Sequence, residues 1–276
     1  MRYTIKPGDS LSTIARAHGL SLAELLAANP QRRANPDAIR VGDEVEIPDG
    51  ATATPPSVPV TPRPSTGGHK ELGKLSEEFE TGGRGPGTVS TGVGDAGGVS
   101  YGSYQMTSKH GGTVLRFVSQ PAFPWRDDFQ SLSPGSPEFT AKWKAIATAT
   151  PEAFHAAQHA YIKATHFDVL AENTLDTDRL DVTTRSAALQ DVIWSTAVQH
   201  GPNSPVIRRA LAALRSQGVQ DVDDRGLIQA IYAERGRRDA SGVLVYFANN
   251  STAVQDGVDK RFVREERSAL RMLAGS

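Results

Sequence analysis

The residues best placed to do chemistry in this 276-residue chain are two carboxylates on either side of a glycine-rich stretch, Glu80 and Asp95. Cleaving a glycosidic bond needs such a pair. One acid is protonated and gives its proton to the leaving oxygen. The other is ionised and acts as base for a water or as nucleophile. Their surroundings must drive the two pKa values apart. Glu80 ends an amphipathic run in which Leu72, Leu75 and Phe79 share one helical face. At a helix C-terminus the dipole disfavours a carboxylate. Glu77, one turn back, adds like charge, and Phe79 adds an apolar neighbour. All three effects raise the pKa, as an acid requires. Asp95 sits among Gly92, Gly94, Gly97 and Gly98, where exposed backbone amides can stabilise the ionised form.

Eight of the eighteen residues from Thr81 to Gly98 are glycine, which permits sharp turns and close backbone approach to a ligand. The chain can thus fold Asp95 back towards Glu80. Spacing leaves their separation open: roughly 5 Å implies retention of anomeric configuration, roughly 6.5–9.5 Å inversion. A Glu at a helix end and an Asp in a glycine-rich loop are also ordinary surface features, and spacing alone does not choose. The polar-aromatic run Ser100-Tyr101-Gly102-Ser103-Tyr104-Gln105 follows. Ser100, Tyr101, Tyr104 and Gln105 are candidates for contacting sugar, through ring faces and an amide. On a period of two Tyr101 and Ser103 share a face and Tyr104 takes the other, so one tyrosine is expected in the core. Thr88, Ser90 and Thr91 are candidates for positioning a water, or simply for solvating the loop.

The elements that must hold these residues are mostly helical. Patterns and breakers predict helices over 137–148, 151–172, 185–199, 204–217, 224–238 and 258–273, with Pro137, Pro151, Thr184, Gly201-Pro202, Asp224 and Gly257 as punctuation. Val99 to Met106 and Thr113 to Val118 read as short strands. His155 and His159 stand at i and i+4, the spacing of two metal ligands, but the glutamate of a zinc-protease motif is missing between them. They read instead as surface or satisfied core histidines. His200 ends a helix, where an imidazolium suits the dipole. Trp194, spaced with Leu189 and Val198, reads as core.

Residues 1–50 form a unit of their own. Tyr3-Thr4-Ile5-Lys6 alternates like a strand, and Pro7-Gly8-Asp9 is a turn. One helix carries Leu11, Ile14 and Ala15, and a second carries Leu22, Leu25 and Leu26 and closes at Asn29-Pro30. Val41 to Pro48 is a turn and a strand. Residues 51–69 are a linker: five of residues 51–64 are proline, a composition that is extended and buries no core. Residues 70–276 form the larger domain.

Composition removes other classes. A net charge of −1 gives no basic field for nucleic acid or an acidic membrane surface. No apolar run approaches the roughly 20 residues needed to span a bilayer. The N-terminus has no apolar segment of the signal-peptide kind. With no cysteine, disulfides, thiolate zinc sites and a cysteine nucleophile are excluded together. No cofactor and no metal is expected.

The N-terminal unit resembles a LysM domain over Tyr3 to Ala15, Leu25 to Pro30 and Ile39 to Pro48. The resemblance implies a βααβ fold that binds N-acetylglucosamine-containing glycans such as peptidoglycan. The groove would be formed by Gly8, Asp9, Ser10 and Leu11 with Asn35, Pro36, Asp37 and Ile39. The larger domain resembles a peptidoglycan-hydrolase domain of phage endolysins and of type VI secretion spike-protein C-termini, related to chitosanases and more remotely to the lysozyme superfamily. Phe79-Glu80, Gly85 to Ser90 and Gly94 to Gln105 carry the likeness, with Gly102-Ser103-Tyr104-Gln105 as a glycine-x-x-glutamine motif. Val192 to Gly201, Ala230 to Arg235 and Arg261 to Glu266 extend it.

That likeness implies a mostly α, lysozyme-like α+β catalytic domain with a small β-hairpin. Glu80 would be the acid and Asp95 the second carboxylate, a general base if the inverting chitosanases are the guide. The expected activity is a muramidase acting between N-acetylmuramic acid and N-acetylglucosamine. A lytic transglycosylase, a chitosanase or chitinase, and a non-catalytic wall-binding tail or secretion protein are the rivals. Expected partners are peptidoglycan, a secretion spike or phage component, and an immunity protein. Without a signal peptide the protein would be made in the cytoplasm and delivered to the periplasm and wall by a phage or secretion system.

Overall fold

The computed structural model describes residues 1–5, 11, 14–15, 18, 20, 22–32, 42–48, 72–73, 85–92, 98–109 and 112–275. In the N-terminal module, β1 (Arg2–Thr4) pairs antiparallel with β2 (Glu44–Glu46), Tyr3 opposite Val45. Val45 points inward and its two glutamate neighbours point out, the period of a one-sided sheet. Helix α1 (Leu22–Ala28) adds Leu25 to a core of Ile5, Leu11, Ile14, Val45 and Ile47. Asn29 closes the module. Its buried amide donates to the carbonyls of Leu25 (2.8 Å) and Glu46 (2.7 Å) and accepts from the Glu46 amide (2.8 Å). One side chain thus joins the helix end to the strand.

The larger domain is mostly helical with one small sheet. Strand β3 (Ser100–Tyr101) pairs with β4 (Met106–Thr107), and Val89 bridges to Tyr101 on the other side. Thr113–Val118 is a helix, α2, where a strand was expected. Its β-branched residues favour a strand locally, but Val114, Phe117 and Val118 stand at i, i+3 and i+4 and all three are buried. Tertiary packing overrides the local preference.

Helix α3 (Pro137–Ala149) starts on a Ser136 side-chain cap. Helix α4 (Pro151–Ile162) passes through a π-helical turn (Lys163–Phe167) into α5 (Asp168–Asp178), so the expected 151–172 helix is one interrupted rod ending at left-handed Arg179. Helix α6 (Ala187–His200) is capped by Ser186 rather than Thr184, and stops at Gly201, whose φ is 87°. Helices α7 (Val206–Ser216), α8 (Asp224–Arg235) and α9 (Thr252–Ala274) follow. Ser251 caps α9 six residues earlier than expected, and Gly257 lies inside it. Leu189, Val192, Ile193, Trp194 and Ala197 of α6 are fully buried, and α7, α8, α9 and the π turn pack around that helix. A helix apolar on all sides belongs at the centre. Among the described residues no helix is long and apolar enough to cross a membrane.

The packing of α6, α8 and α9 encloses a charge network. Arg235 and Glu265, 0% and 1% exposed, pair at 3.2 Å, and Arg261 reaches the other carboxylate oxygen at 3.0 Å. Ser195 and Tyr232 donate to Glu265, each at 3.2 Å. Arg235 also donates to Gln199, to Ser195 and to His200 Nε2, and its guanidinium lies over the rings of Tyr232 and Phe262. His200 is therefore not the imidazolium expected at the helix end. Burial, then the charges of Arg235 and Arg261, lower its pKa to about 3 and keep it neutral.

Candidate active site

Glu80 and Asp95 lie outside the described residues. The segments on either side of each are described, and their ends are fixed. Before Glu80, the Leu72 carbonyl accepts from His159 Nε2 at 2.7 Å and the Gly73 amide donates to the buried carboxylate of Asp191. Gly73 has φ 93°, and a Cβ there would come within 2.9 Å of Trp194 Nε1, so only glycine fits. After Glu80, the Pro86 carbonyl accepts two hydrogen bonds, from Trp143 Nε1 (2.9 Å) and Gln158 Nε2 (3.1 Å).

The described residues on either side of 93–97 are tied to each other. Ser90 donates its amide to Ser100 O (2.9 Å) and accepts the Ser100 amide on its hydroxyl (2.8 Å). A Cβ on Gly92 would meet Val99 N at 2.8 Å, so residues 92 and 99 touch.

The hairpin turn Gly102–Gln105 is held from below. The Gly102 amide donates to Thr88 O (2.7 Å), and the Ser103 amide to Gln158 Oε1 (3.0 Å). Gly102 has φ 75° and no room for a Cβ, which would lie 2.2 Å from Gln158 Oε1. Gln105 is left-handed at φ 49° and donates its amide to Gly102 O (3.0 Å). A non-glycine in that region is uncommon and is retained here by the turn it closes.

Several expected sugar contacts turn out to be packing. Tyr101 is fully buried; its hydroxyl is shared between Thr140 (2.8 Å) and the Gly135 amide (3.1 Å), and its ring packs on Phe139 and Trp143. Tyr104 is also buried, against His155, His159 and Trp194. Both tyrosines are thus core, not one. Two aromatic pairs on opposite faces suffice because helices cover the hairpin on both sides. Ser100 is buried in the sheet, and the Ser90 hydroxyl is used inside it. The Thr88 hydroxyl donates to Gly85 O (2.8 Å). Gln105 is only half-buried. Of the N-terminal groove residues, Leu11 is buried in the module core, because it faces Ile14 and Leu25 rather than solvent. Gly8, Asp9, Ser10, Asn35, Pro36, Asp37 and Ile39 lie outside the described residues.

The residues that do shape the site come from α4. His155 approaches the Ser103 hydroxyl (3.3 Å), Gln158 spans Pro86 and Ser103, and His159 holds Leu72 while stacking on Trp194 at 4.6 Å. A carbonyl only accepts, so His159 Nε2 carries a proton. A sequence signal existed for Gln158. It sits with Phe154, Tyr161 and Ile162 on the buried stripe of the helix, where a polar residue needs partners.

Residues 72–266 match the family model described as "Type VI secretion system spike protein VgrG3-like, C-terminal", and residues 3–48 match that of the LysM domain. Over 158 residues the chain is 40% identical to the type VI secretion system spike protein VgrG3 of Vibrio cholerae. The aligned part is 57% of this chain and only 15% of that protein's length. With its larger domain matched almost throughout, the chain belongs to the family of VgrG3-like C-terminal domains and carries a LysM domain ahead of it.

Proposed function

We propose that the protein is a peptidoglycan hydrolase that cuts the glycan strand between N-acetylmuramic acid and N-acetylglucosamine. Glu80 protonates the leaving glycosidic oxygen. Asp95 takes a proton from the water that attacks the anomeric carbon, so the product is inverted. The observation that supports the reading is that the described residues flanking both carboxylate-bearing stretches are hydrogen-bonded to one frame of sheet and helix. The VgrG3-like family match and the LysM module upstream support a target in the cell wall. The LysM module would hold the enzyme on the wall and raise its effective concentration there. Kinship with a secretion spike protein supports delivery by a type VI apparatus, with a cognate immunity protein in the producing cell.

Glu80→Gln tests the assignment. Release of soluble glycan fragments from purified peptidoglycan should fall at least about 100-fold, the usual scale for losing a general acid, while binding to walls is unchanged. Near-wild-type release would refute it. Mass spectrometry of wild-type products should show reducing ends; anhydro ends would assign transglycosylase chemistry instead.

A further inference from the structure

Gln158 is completely buried, on a stripe otherwise made of Phe154, Tyr161 and Ile162. Its carboxamide makes no bond to its own helix. The oxygen accepts from the Ser103 amide and the nitrogen donates to the Pro86 carbonyl, so one planar group spans two chain segments. Pro86 lies six residues after Glu80, and Ser103 lies in the turn that follows the Asp95 stretch. Resting on the hydrolase reading, we propose that Gln158 is a positioning residue that sets the relative placement of the segments carrying the two catalytic carboxylates.

Three observations point the same way. Packing alone would be served by leucine or methionine, without burying an amide. The neighbouring polar residues of the same helix face also reach out of the helix, His155 to Ser103 and His159 to Leu72, and Gln158 joins two segments through one group. Gly102 leaves no space above the amide: a single added carbon would lie 2.2 Å from its oxygen. The turn is therefore seated on the carboxamide, and a shift of one moves the other.

Gln158→Glu and Gln158→Met, made in the full chain, test this. At about pH 8 the introduced carboxylate still accepts from Ser103 but cannot donate to Pro86. We expect kcat on soluble glycan fragments to fall about 10- to 100-fold, the scale of an ångström-sized misplacement, with KM within about threefold. Protonation restores the donor, so the ratio of the Gln158→Glu variant to wild type should climb at least about tenfold as pH falls towards roughly 5, near and above the ordinary range of a carboxyl. Gln158→Met, similar in volume, should stay folded by tryptophan fluorescence and stay slow at every pH. If Gln158→Glu is unfolded at the higher pH, Gln158→Met decides alone. Either variant folded and within threefold of wild-type kcat, or a Gln158→Glu ratio that does not change with pH, overturns the proposal. Wild type without turnover overturns the hydrolase reading and this inference with it; an active wild type beside an unimpaired Gln158→Met overturns this inference only.

Discussion

Replacing Glu265 by Gln should unfold the larger domain far more easily than its conservative size suggests. Glu265 is 1% exposed and ion-paired to Arg235, itself 0% exposed, while Ser195 and Tyr232 donate to the same carboxylate oxygen. The substitution leaves a buried guanidinium facing a neutral amide. Removing one partner of a buried pair typically costs about 3–5 kcal/mol. For a domain of this size each kcal/mol moves Tm by about 2–4 °C, so the drop should be roughly 6–20 °C. The protein is well suited to the assay. Its three tryptophans, Trp125, Trp143 and Trp194, all lie in the larger domain, so their fluorescence follows that domain and not the LysM module. The double variant Glu265→Leu/Arg235→Met should recover most of the loss and lie within about 2 kcal/mol of wild type, because no charge is stranded. Arg261 is part-exposed at 21% and can turn to water. A single-variant Tm within 2 °C of wild type, or a double variant as unstable as the single, would refute the view that an unpaired buried charge dominates here.

Other expectations follow from the same packing. Burial first and nearby guanidinium groups second lower His200 to about 3 and His166 to about 4. Both bind protons more weakly folded than unfolded, so their contribution is complete above about pH 6.5 and is lost as pH falls towards 4, at up to about 1.4 kcal/mol per pH unit each. Tm measured from pH 7 to 4.5 should decline accordingly, and His166→Gln should flatten the slope; an unchanged slope would count against it. Asn29→Ala strands the Glu46 amide and the carbonyls of Leu25 and Glu46. At about 1–3 kcal/mol for each buried group left unpaired, the small module should lose its dispersed amide NMR signals while the tryptophan transition stays put. Deleting residues 1–50 should weaken sedimentation with cell walls yet spare turnover of soluble fragments. Loss of all turnover would contradict two separable modules.

Periodicity located most of the helices, and four of them open on a side-chain cap, at Ser136, Ser186, Asp223 and Ser251. It failed where local preference and packing disagree. Thr113–Val118 is β-branched, yet its burial pattern is helical. Gly257 looks like a breaker, but Ser251 had already capped α9 and the helix absorbs the glycine. At the candidate site, the glycine-rich segment and its motif stood out as a stretch. The direction of its side chains did not. Alternation predicts which residues of a strand share a face but not whether the other face is open, and here Phe139 and Trp143 on one side and Trp194 on the other close both. The buried polar ties were legible only as anomalies: Gln158 of α4, Arg235 of α8 and Glu265 of α9 are polar residues at stripe positions, and in each case the anomaly marks a buried network.

Why the ties come from outside the segment is a matter of entropy. Glycine loses more conformational freedom on ordering than any other residue, and fixing each backbone residue costs about 1–2 kcal/mol. A stretch with eight glycines in eighteen residues is costly to order by itself. Among the described residues, its flanks are tied by His159 and Asp191 at Leu72 and Gly73, by Trp143 and Gln158 at Pro86, and by the Ser90–Ser100 pair. On the hydrolase reading, glycine would permit close backbone approach to a bulky glycan, and the flanking ties would return the order that glycine gives up. On this division of labour, substitutions on the buried face of α4 should alter turnover as much as substitutions in the loop. They should do so through kcat, because they change where the acids stand rather than what touches the sugar.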